Sequence, residues 1–202
     1  MKTVNELVKS VKFTSKNEIE SFSPELQLIG IGRSAAVFQP RNTNLALKVF
    51  YPMQLPTADI EAEIYKVLGD NPYFPKLHEN GPGYILIDLL EGRTFYECLE
   101  SGVEISTYHI EEVERALTFA RRKGLNPSDI HLRNIIITVD GSIKLIDVAR
   151  FRQTKQCKQW DDLKKAHQKV YSKKWFPKKI PSAIINGVAY LYKKQLLPIN
   201  IL

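Results

Sequence analysis

Between Asn126 and Phe151 the chain reads NPSDIHLRNIIITVDGSIKLIDVARF, with two carboxylates and an amide beside apolar runs: Asp129, Asn134 and Asp147. Asp129 and Asn134 are five apart, in a loop that enters the run Ile135–Val139. Asn134 and Asp147 are thirteen apart, at the two ends of a segment broken by Asp140-Gly141. An Asp-Gly pair between apolar runs is a strong hairpin signal. Antiparallel pairing of Ile135–Val139 with Ser142–Ile146 makes Asn134 and Asp147 neighbours in space. A carboxylate and an amide oxygen converging in this way suit Mg²⁺, which takes oxygen ligands and completes its shell with water and phosphates. Asp129, just upstream, is placed to accept a proton from a hydroxyl, and His131 offers a contact to phosphate. Taken singly, each of the three polar residues also has a structural reading: turn former, strand opener and strand terminator.

Upstream, Gly30-Ile31-Gly32-Arg33-Ser34-Ala35-Ala36-Val37 sets two glycines between two strands. Such a turn lets the backbone come close to a ligand and point N–H groups at phosphate oxygens, or it is simply a hairpin turn. Ala35 stands where a dinucleotide fingerprint has its third glycine, and the following segment reads as strand, so that fingerprint is excluded. Lys48 lies inside the apolar strand Leu45–Tyr51. It shares a face with Ala46 and Phe50, opposite Leu45, Leu47 and Val49. It points either to solvent or into a cleft, and in a cleft it needs an anion: a phosphate or a helix carboxylate. Glu61 and Glu63 follow in the next helix. At ~100° per residue only one of them can meet Lys48. Tyr65 extends the apolar stripe toward Glu61, which makes Glu61 the expected partner.

These residues need elements to position them. Leu26–Phe38 reads as two strands and Leu45–Tyr51 as a third. Asp59–Leu68 reads as a short helix with Ile60, Ile64, Val67 and Leu68 on one face, stopped by Gly69. Gly83–Leu90 is a mostly apolar strand ending at Glu91-Gly92. Ser106–Arg122 is a longer helix with Ile110, Val113, Leu117 and Ala120 in register, stopped by Gly124. Trp160–Tyr171 and Ser182–Lys194 read as helices. Strands dominate the first half and helices the second, which predicts an α+β fold of two lobes joined near Asp88–Gly92.

The bulk properties fit a soluble globular protein: 202 residues, 44% hydrophobic and 25% charged. Cys98 and Cys157 form no metal-ligand pattern and fit a reducing compartment. The N-terminal MKTVNELVKSVKF is amphipathic, without the apolar core of a signal peptide. No apolar run approaches the ~20 residues of a membrane span. A cytoplasmic location with no membrane partner is therefore expected. Charge is uneven. Residues 1–149 carry 16 Lys+Arg against 20 Asp+Glu, and residues 150–202 carry 13 against Asp161 and Asp162 alone. The basic segment is either a solvated face or a docking surface for RNA, an acidic protein or an acidic substrate. Trp160, Tyr171, Trp175 and Phe176 among its lysines suit base stacking, or the core of a short lobe, which is the favoured assignment.

The ordered set resembles the protein-kinase-like superfamily. Gly30, Gly32 and Val37 match its glycine loop. Ala46-Leu47-Lys48 matches its A-x-K strand, Glu61 its helix glutamate, Asp129 and Asn134 its D-x-x-x-x-N, and Asp147-Val148-Ala149 the position of D-F-G. Asp88–Gly92, with Asp88 and Leu90, resembles the hinge that holds adenine by backbone groups. The match covers about residues 26–151. Departures are informative: Pro127-Ser128 replaces the His-Arg before Asp129, His131 replaces the lysine two residues past it, D-F-G has become D-V-A, and no A-P-E follows. The chain is most similar to the small atypical RIO/Bud32-like kinases and to the short serine/threonine kinase-like proteins of Bacillus-type bacteria. That resemblance implies one kinase-like domain over 1–202, with an N-lobe at 1–87, a hinge at 88–92 and a reduced C-lobe at 93–202. It implies ATP and Mg²⁺ as cofactors, catalytic roles for Asp129, Lys48 and His131, metal ligation by Asn134 and Asp147, and a protein serine or threonine as acceptor. The alternative is a pseudokinase or an ATPase-type scaffold on RNA or ribosomal assemblies.

Overall fold

A computed structural model describes residues 2–155 and 157–196. Met1, Gln156 and residues 197–202, and with them parts of the basic segment 150–202, lie outside the described residues. The fold is α+β, and the chain divides into two compact units, Met1–Leu90 and Glu91–Leu202.

The first unit opens with helix α1, Val4–Ser10. The Thr3 hydroxyl accepts the Glu6 N–H (3.3 Å), and the Glu6 carboxylate accepts the Thr3 N–H (2.7 Å), a reciprocal cap that satisfies two end donors. A small hairpin follows, β1 (Lys12–Phe13) and β2 (Ile19–Ser21). Then come β3 (Leu26–Ile31), β4 (Ala35–Pro40), β5 (Leu45–Phe50), a 3₁₀ turn at Pro52–Gln54, helix α2 (Leu55–Leu68), β6 (Leu77–Gly81) and β7 (Tyr84–Asp88). The strands form a five-stranded antiparallel sheet in the order β3-β4-β5-β7-β6.

Strand β5 shows why two cores are needed. Its Leu47 and Val49 side join Leu26, Ala36, Phe38, Tyr84 and Leu86 in a cluster completed by Leu7 and Val11 of the α1 region. Its other side carries Ala46, Lys48 and Phe50, level with Ile87 and Ile85 of β7, and α2 packs there. The helix buries Ala58, Glu61, Ala62, Ile64, Tyr65 and Leu68. Burial of Ile64 and Leu68 stabilises by roughly 2 kcal/mol each. Two expectations differ. The helix starts at Leu55 rather than Asp59, because Pro56 in the first turn opens a helix instead of blocking it. Ile60 is exposed, because the buried stripe runs through the small Ala58 and Ala62. Strand β6, with the sequence LHENG, has no apolar alternation to announce it.

In the second unit, β8 (Gly92–Thr94) leads into helix α3 (Phe95–Ser101) and helix α4 (Thr107–Arg122), followed by β9 (Ile135–Thr138) and β10 (Ile143–Leu145). The strands form an antiparallel sheet in the order β10-β9-β8. Helix α3 starts with a second capping box, Thr94 with Glu97, which the sequence reading passed over. Helix α4 takes Ser106 as its N-cap and packs on β10. The hairpin turn spans three residues. Gly141 N donates to Thr138 O (2.9 Å) and Thr138 N to Ser142 O (2.9 Å), and Gly141 takes the left-handed φ of 82° that such a bulged turn requires. A 3₁₀ turn at Val148–Arg150, helix α5 (Gln159–Ala166), a π-helical turn at His167–Tyr171 and helix α6 (Ser182–Lys193) complete the chain. Trp160 and Tyr171 are buried core residues, Phe176 is partly buried and Trp175 is exposed.

Two predictions follow from this packing. A Cβ at Gly92 would lie 2.2 Å from Ile137 O and 2.8 Å from Thr138 Cα. Gly92→Ala therefore forces β8 off β9 and is expected to cost roughly 2 kcal/mol in urea unfolding. The second concerns Glu114 on α4. Its carboxylate accepts Trp160 Nε1 and Lys164 Nζ from α5 (2.8 Å each) and Arg121 Nη1 (3.1 Å). Burial alone would raise this carboxyl, but the three donors outweigh it and hold it at about 2 against an ordinary 4.5. A depressed folded-state pKa contributes stability above 4.5 that is lost as pH falls from there toward about 2. Glu114→Gln is expected to destabilise by about 1 kcal/mol at pH 7, discounted for solvent screening. The gap to wild type should shrink at pH 3, read by the same unfolding assay.

Candidate active site

In the first unit the sheet and α2 bring Lys48 and Glu61 together. Lys48 Nζ donates to both carboxylate oxygens of Glu61, at 2.8 and 2.7 Å. The side chains are 12% and 1% exposed. The lysine faces the helix because β5 alternates, and Glu61 is buried because it lies on the stripe with Ala58, Ala62 and Tyr65. Glu63 lies off that stripe, and Lys66 pairs with it at 2.8 Å. Lys48 Nζ also lies 5.1 Å from the centroid of the Phe50 ring. Ala46 is buried beside it on the same face.

The glycine hairpin joins β3 and β4. Gly30 is level with Val37, and Gly32 N donates to Ala35 O at 2.8 Å. Tyr51, which the sequence reading left without a role, straps this turn. Its hydroxyl donates to Gly32 O (3.0 Å) and its N–H to Ser34 O (3.0 Å). Burial pushes the Tyr51 hydroxyl pKa up, which keeps it a donor at neutral pH. A Cβ at Gly30 would meet only Val37 Cβ at 3.9 Å, and one at Gly32 would meet Ala35 O at 3.3 Å. Gly30 thus has room that the fold itself does not use. At the end of this unit, the Asp88 carboxylate accepts Lys76 N (2.8 Å) and pairs with His78 Nε2 (2.7 Å), while Asp88 N donates to Lys76 O (3.1 Å). Asp88 therefore ties β7 to the strand beside it. Leu90 is half-buried two residues on.

In the second unit the loop before β9 carries Asp129, His131 and Asn134. Asn134 Nδ2 donates to the Asp129 carbonyl (3.2 Å) and Asn134 N to His131 O (2.8 Å). The amide nitrogen is thus committed, so Oδ1 is the atom Asn134 can present to a cation. Ile146 N donates to Asn134 O (3.0 Å), which extends the β9–β10 ladder and sets Asp147 one residue beyond the partner of Asn134. His131 Nδ1 accepts Arg133 N at 3.3 Å. That assigns the ring proton to Nε2. Arg133 stacks 3.4 Å above the Tyr96 ring of α3, and Tyr96 N donates to Leu132 O (3.1 Å), so α3 anchors the loop.

Asp129 and Asp147 both adopt left-handed backbone, with φ of 62° and 60°. Asp tolerates this conformation better than most residues, but it still costs about 1 kcal/mol or more at each site. Two residues not anticipated from sequence support them. Arg150 Nε lies 3.5 Å from Asp129 Oδ2. Asn126 N donates to Phe151 O (2.7 Å), and its Nδ2 to Gln153 O (2.7 Å) and Lys155 O (3.2 Å). The segment after Asp147 is thereby fixed to the segment before Asp129. An Asn before a Pro reads as an ordinary turn former, and nothing in the sequence pairs it with residues 25 or more positions away.

Among the described residues no cluster of three or more His, Cys, Asp and Glu forms a metal cage. The smaller pair expected from sequence, Asn134 and Asp147, lies at neighbouring ends of β9 and β10 through the Ile146 N to Asn134 O bond. An amide and a carboxylate suit Mg²⁺, which keeps most of its shell for water and phosphate.

The Lys48–Glu61 pair gives a direct test. Removing one partner of a buried pair leaves a charge in a dry site, whereas replacing both by apolar groups is often tolerated. Lys48→Met and Glu61→Leu are each expected to cost about 3 kcal/mol or more, and the double variant less than the sum of the two. Urea unfolding of the four-member cycle reads the coupling. Additive losses would mean that the pair is not an energetic unit.

No protein-family model matches the chain. A curated comparison finds a protein of Bacillus subtilis (strain 168) named "Putative serine/threonine-protein kinase YrzF", 50% identical over 181 residues. The alignment spans 89% of this chain and 84% of the relative. With that identity over nearly the whole length of both proteins, the chain belongs to the same serine/threonine-protein-kinase-like family.

Proposed function

We propose that this protein is an ATP- and Mg²⁺-dependent phosphotransferase of the small, atypical RIO/Bud32-like type, acting on a serine or threonine hydroxyl of a protein. The observation that carries the proposal is the Lys48–Glu61 pair. A buried ion pair is a poor way to gain stability, and an ammonium fixed on both carboxylate oxygens is held ready for a third, anionic partner. Family membership supports the same chemistry. In this assignment residues 1–87 form the N-lobe, 88–92 the hinge and 93–202 a reduced C-lobe.

Lys48, oriented by Glu61, binds the α- and β-phosphates. The backbone N–H groups around Gly30 and Gly32 cover the phosphates, with Val37 and Ala46 against the base. Gly30 leaves space for that approach which the hairpin does not need. Asp88 and Leu90 belong to the hinge segment. The Asp88 N–H donates to Lys76 O and the Leu89 N–H to Asn44 O, so the contact with adenine falls to Leu90. Asn134 Oδ1 and the Asp147 carboxylate hold Mg²⁺, which when bound neutralises the phosphate charge. Asp129 orients the acceptor hydroxyl and takes its proton as the oxygen attacks the γ-phosphorus. The bond from that phosphorus to the β-γ bridging oxygen breaks, and ADP leaves. His131 Nε2–H donates to a γ-phosphate oxygen. Arg150 holds the Asp129 carboxylate until an acceptor arrives. Catalysis on this scheme is positioning and charge stabilisation.

The test is transfer of labelled γ-phosphate from ATP to protein in an extract, using wild type, Asp129→Asn and Asp147→Asn. Asp129→Asn is expected to lower transfer by roughly 10²-fold or more while leaving Mg·ATP binding intact. Asp147→Asn is expected to weaken both, and chelation of Mg²⁺ to abolish transfer. A thermal-shift titration runs alongside, since ligand at 100 times its Kd adds about 2.7 kcal/mol. Equal transfer by all three proteins would refute the assigned roles. A shift with Mg·ATP but no transfer would make the protein a nucleotide-binding scaffold.

A further inference from the structure

Helix α6 is held to its unit by little. Ile185 is its one buried side chain among the described residues. Tyr192 donates its hydroxyl to Asp162 Oδ2 (2.8 Å), and Asn186 Oδ1 accepts Arg133 Nη2 (3.4 Å). About a quarter turn round the helix from Ile185, Ile184, Val188 and Leu191 are 56%, 49% and 39% exposed. Their i, i+4, i+7 spacing lines them into one apolar stripe, with Gly187 between them and open space around its Cα. Three aliphatic side chains aligned in water on a 12-residue helix mark a surface that something else covers.

Charge says what that something is. From Leu163 to Leu202 the sequence holds nine lysines and no acidic residue. Lys193 and Lys194 close α6. Lys173, Lys174 and Lys179 lie exposed on the segment that leads into it, beside Trp175 at 74% exposure. Lys164 pairs with Glu114 and Asp161, and Lys178 with Glu104, but a two-fold pairing would still set the remaining lysines against their own copies, so a second copy of the chain is a poor occupant. RNA would meet the lysines but gains nothing from an aliphatic stripe, since recognition there rests on stacking and phosphate contacts. An anionic lipid surface satisfies both features at once: the stripe enters the acyl boundary, and the lysines and Trp175 sit among the headgroups.

We propose that α6 is a peripheral anchor that lies along anionic membrane surfaces. No helix among the described residues is long and apolar enough to cross a membrane, and lying on a surface asks for neither length nor uniform apolarity. The proposal departs from the expectation of no membrane partner, which rested on the length of apolar runs and so addressed spanning alone. It stands independently of the phosphotransferase assignment.

The experiment is co-sedimentation of the full chain with vesicles of phosphatidylglycerol and phosphatidylcholine, against vesicles of phosphatidylcholine alone. Binding to the anionic vesicles is expected to be at least about tenfold stronger and to weaken as salt rises. Ile184→Ser, Val188→Ser and Leu191→Ser together are expected to reduce that binding roughly tenfold or more. Because all three sites are exposed, the variant's thermal midpoint should match wild type. Trp175 fluorescence, followed against a Trp175→Phe control, should shift to shorter wavelength on anionic vesicles. Absence of binding to anionic vesicles overturns the proposal, as does binding that the triple variant retains in full. Binding to single-stranded RNA without binding to vesicles would reassign the surface to nucleic acid and overturn it equally.

Discussion

Taking an ammonium and a carboxylate out of water costs several kcal/mol for each ion, and the first unit imposes that cost at Lys48 and Glu61. Everything around the pair serves to keep it closed. The sheet fixes Lys48 by register between Val37 and Ile85, and α2 brings Glu61 down on the same small-residue stripe that lets it approach the sheet. The opposite side of β5 is sealed by α1 and the hairpin after it. The lysine therefore lies in a strand with apolar cover on one side and the α2 helix on the other. A charge held in this way is stiff, so it has little conformational entropy left to lose in any contact it makes.

The second unit achieves placement by a different route. Its polar residues are held mainly by backbone hydrogen bonds, with Asn134 also buried. Asp129 and Asp147 sit in left-handed conformations, and the neighbouring hydrogen bonds from Asn134, Ile146 and Asn126 determine where the chain turns. The short hairpin between β9 and β10 supplies the rigid part. Apolar Ile135, Ile143 and Leu145 are buried in it, so the polar ends of both strands project from a fixed base. Helix α3 supports the same loop from the side through Tyr96 and Arg133.

How much of this was legible in the sequence depends on the range of the interaction. Period-two alternation placed Lys48 with Ala46 and Phe50, and helical periodicity pointed to Glu61 over Glu63, because both are local patterns that burial enforces. The Asp-Gly turn gave the hairpin for the same reason, although the loop takes three residues instead of two. The start of α2 was placed at Asp59 instead of Leu55, since the apolar periodicity marks only the later turns and Pro56 was given no role as a first-turn residue. Ile60 was put on the buried face by apolar periodicity, whereas the stripe that packs on the sheet runs through Ala58 and Ala62. Strand β6 and the partners of Asn126 were invisible. Their pairing is decided by residues far along the chain, and no short pattern records it.

The three hydrogen bonds from Asn126 carry a consequence for control. In many signalling enzymes the stretch after the magnesium aspartate is a free flap, and a covalent mark on it turns the enzyme on or off. Here the stretch after Asp147 is bolted at Phe151, Gln153 and Lys155 to one amide residue. A covalent mark there would have to break those bonds before it could move the stretch, so the same hold that positions the chain around Asp129 resists such control.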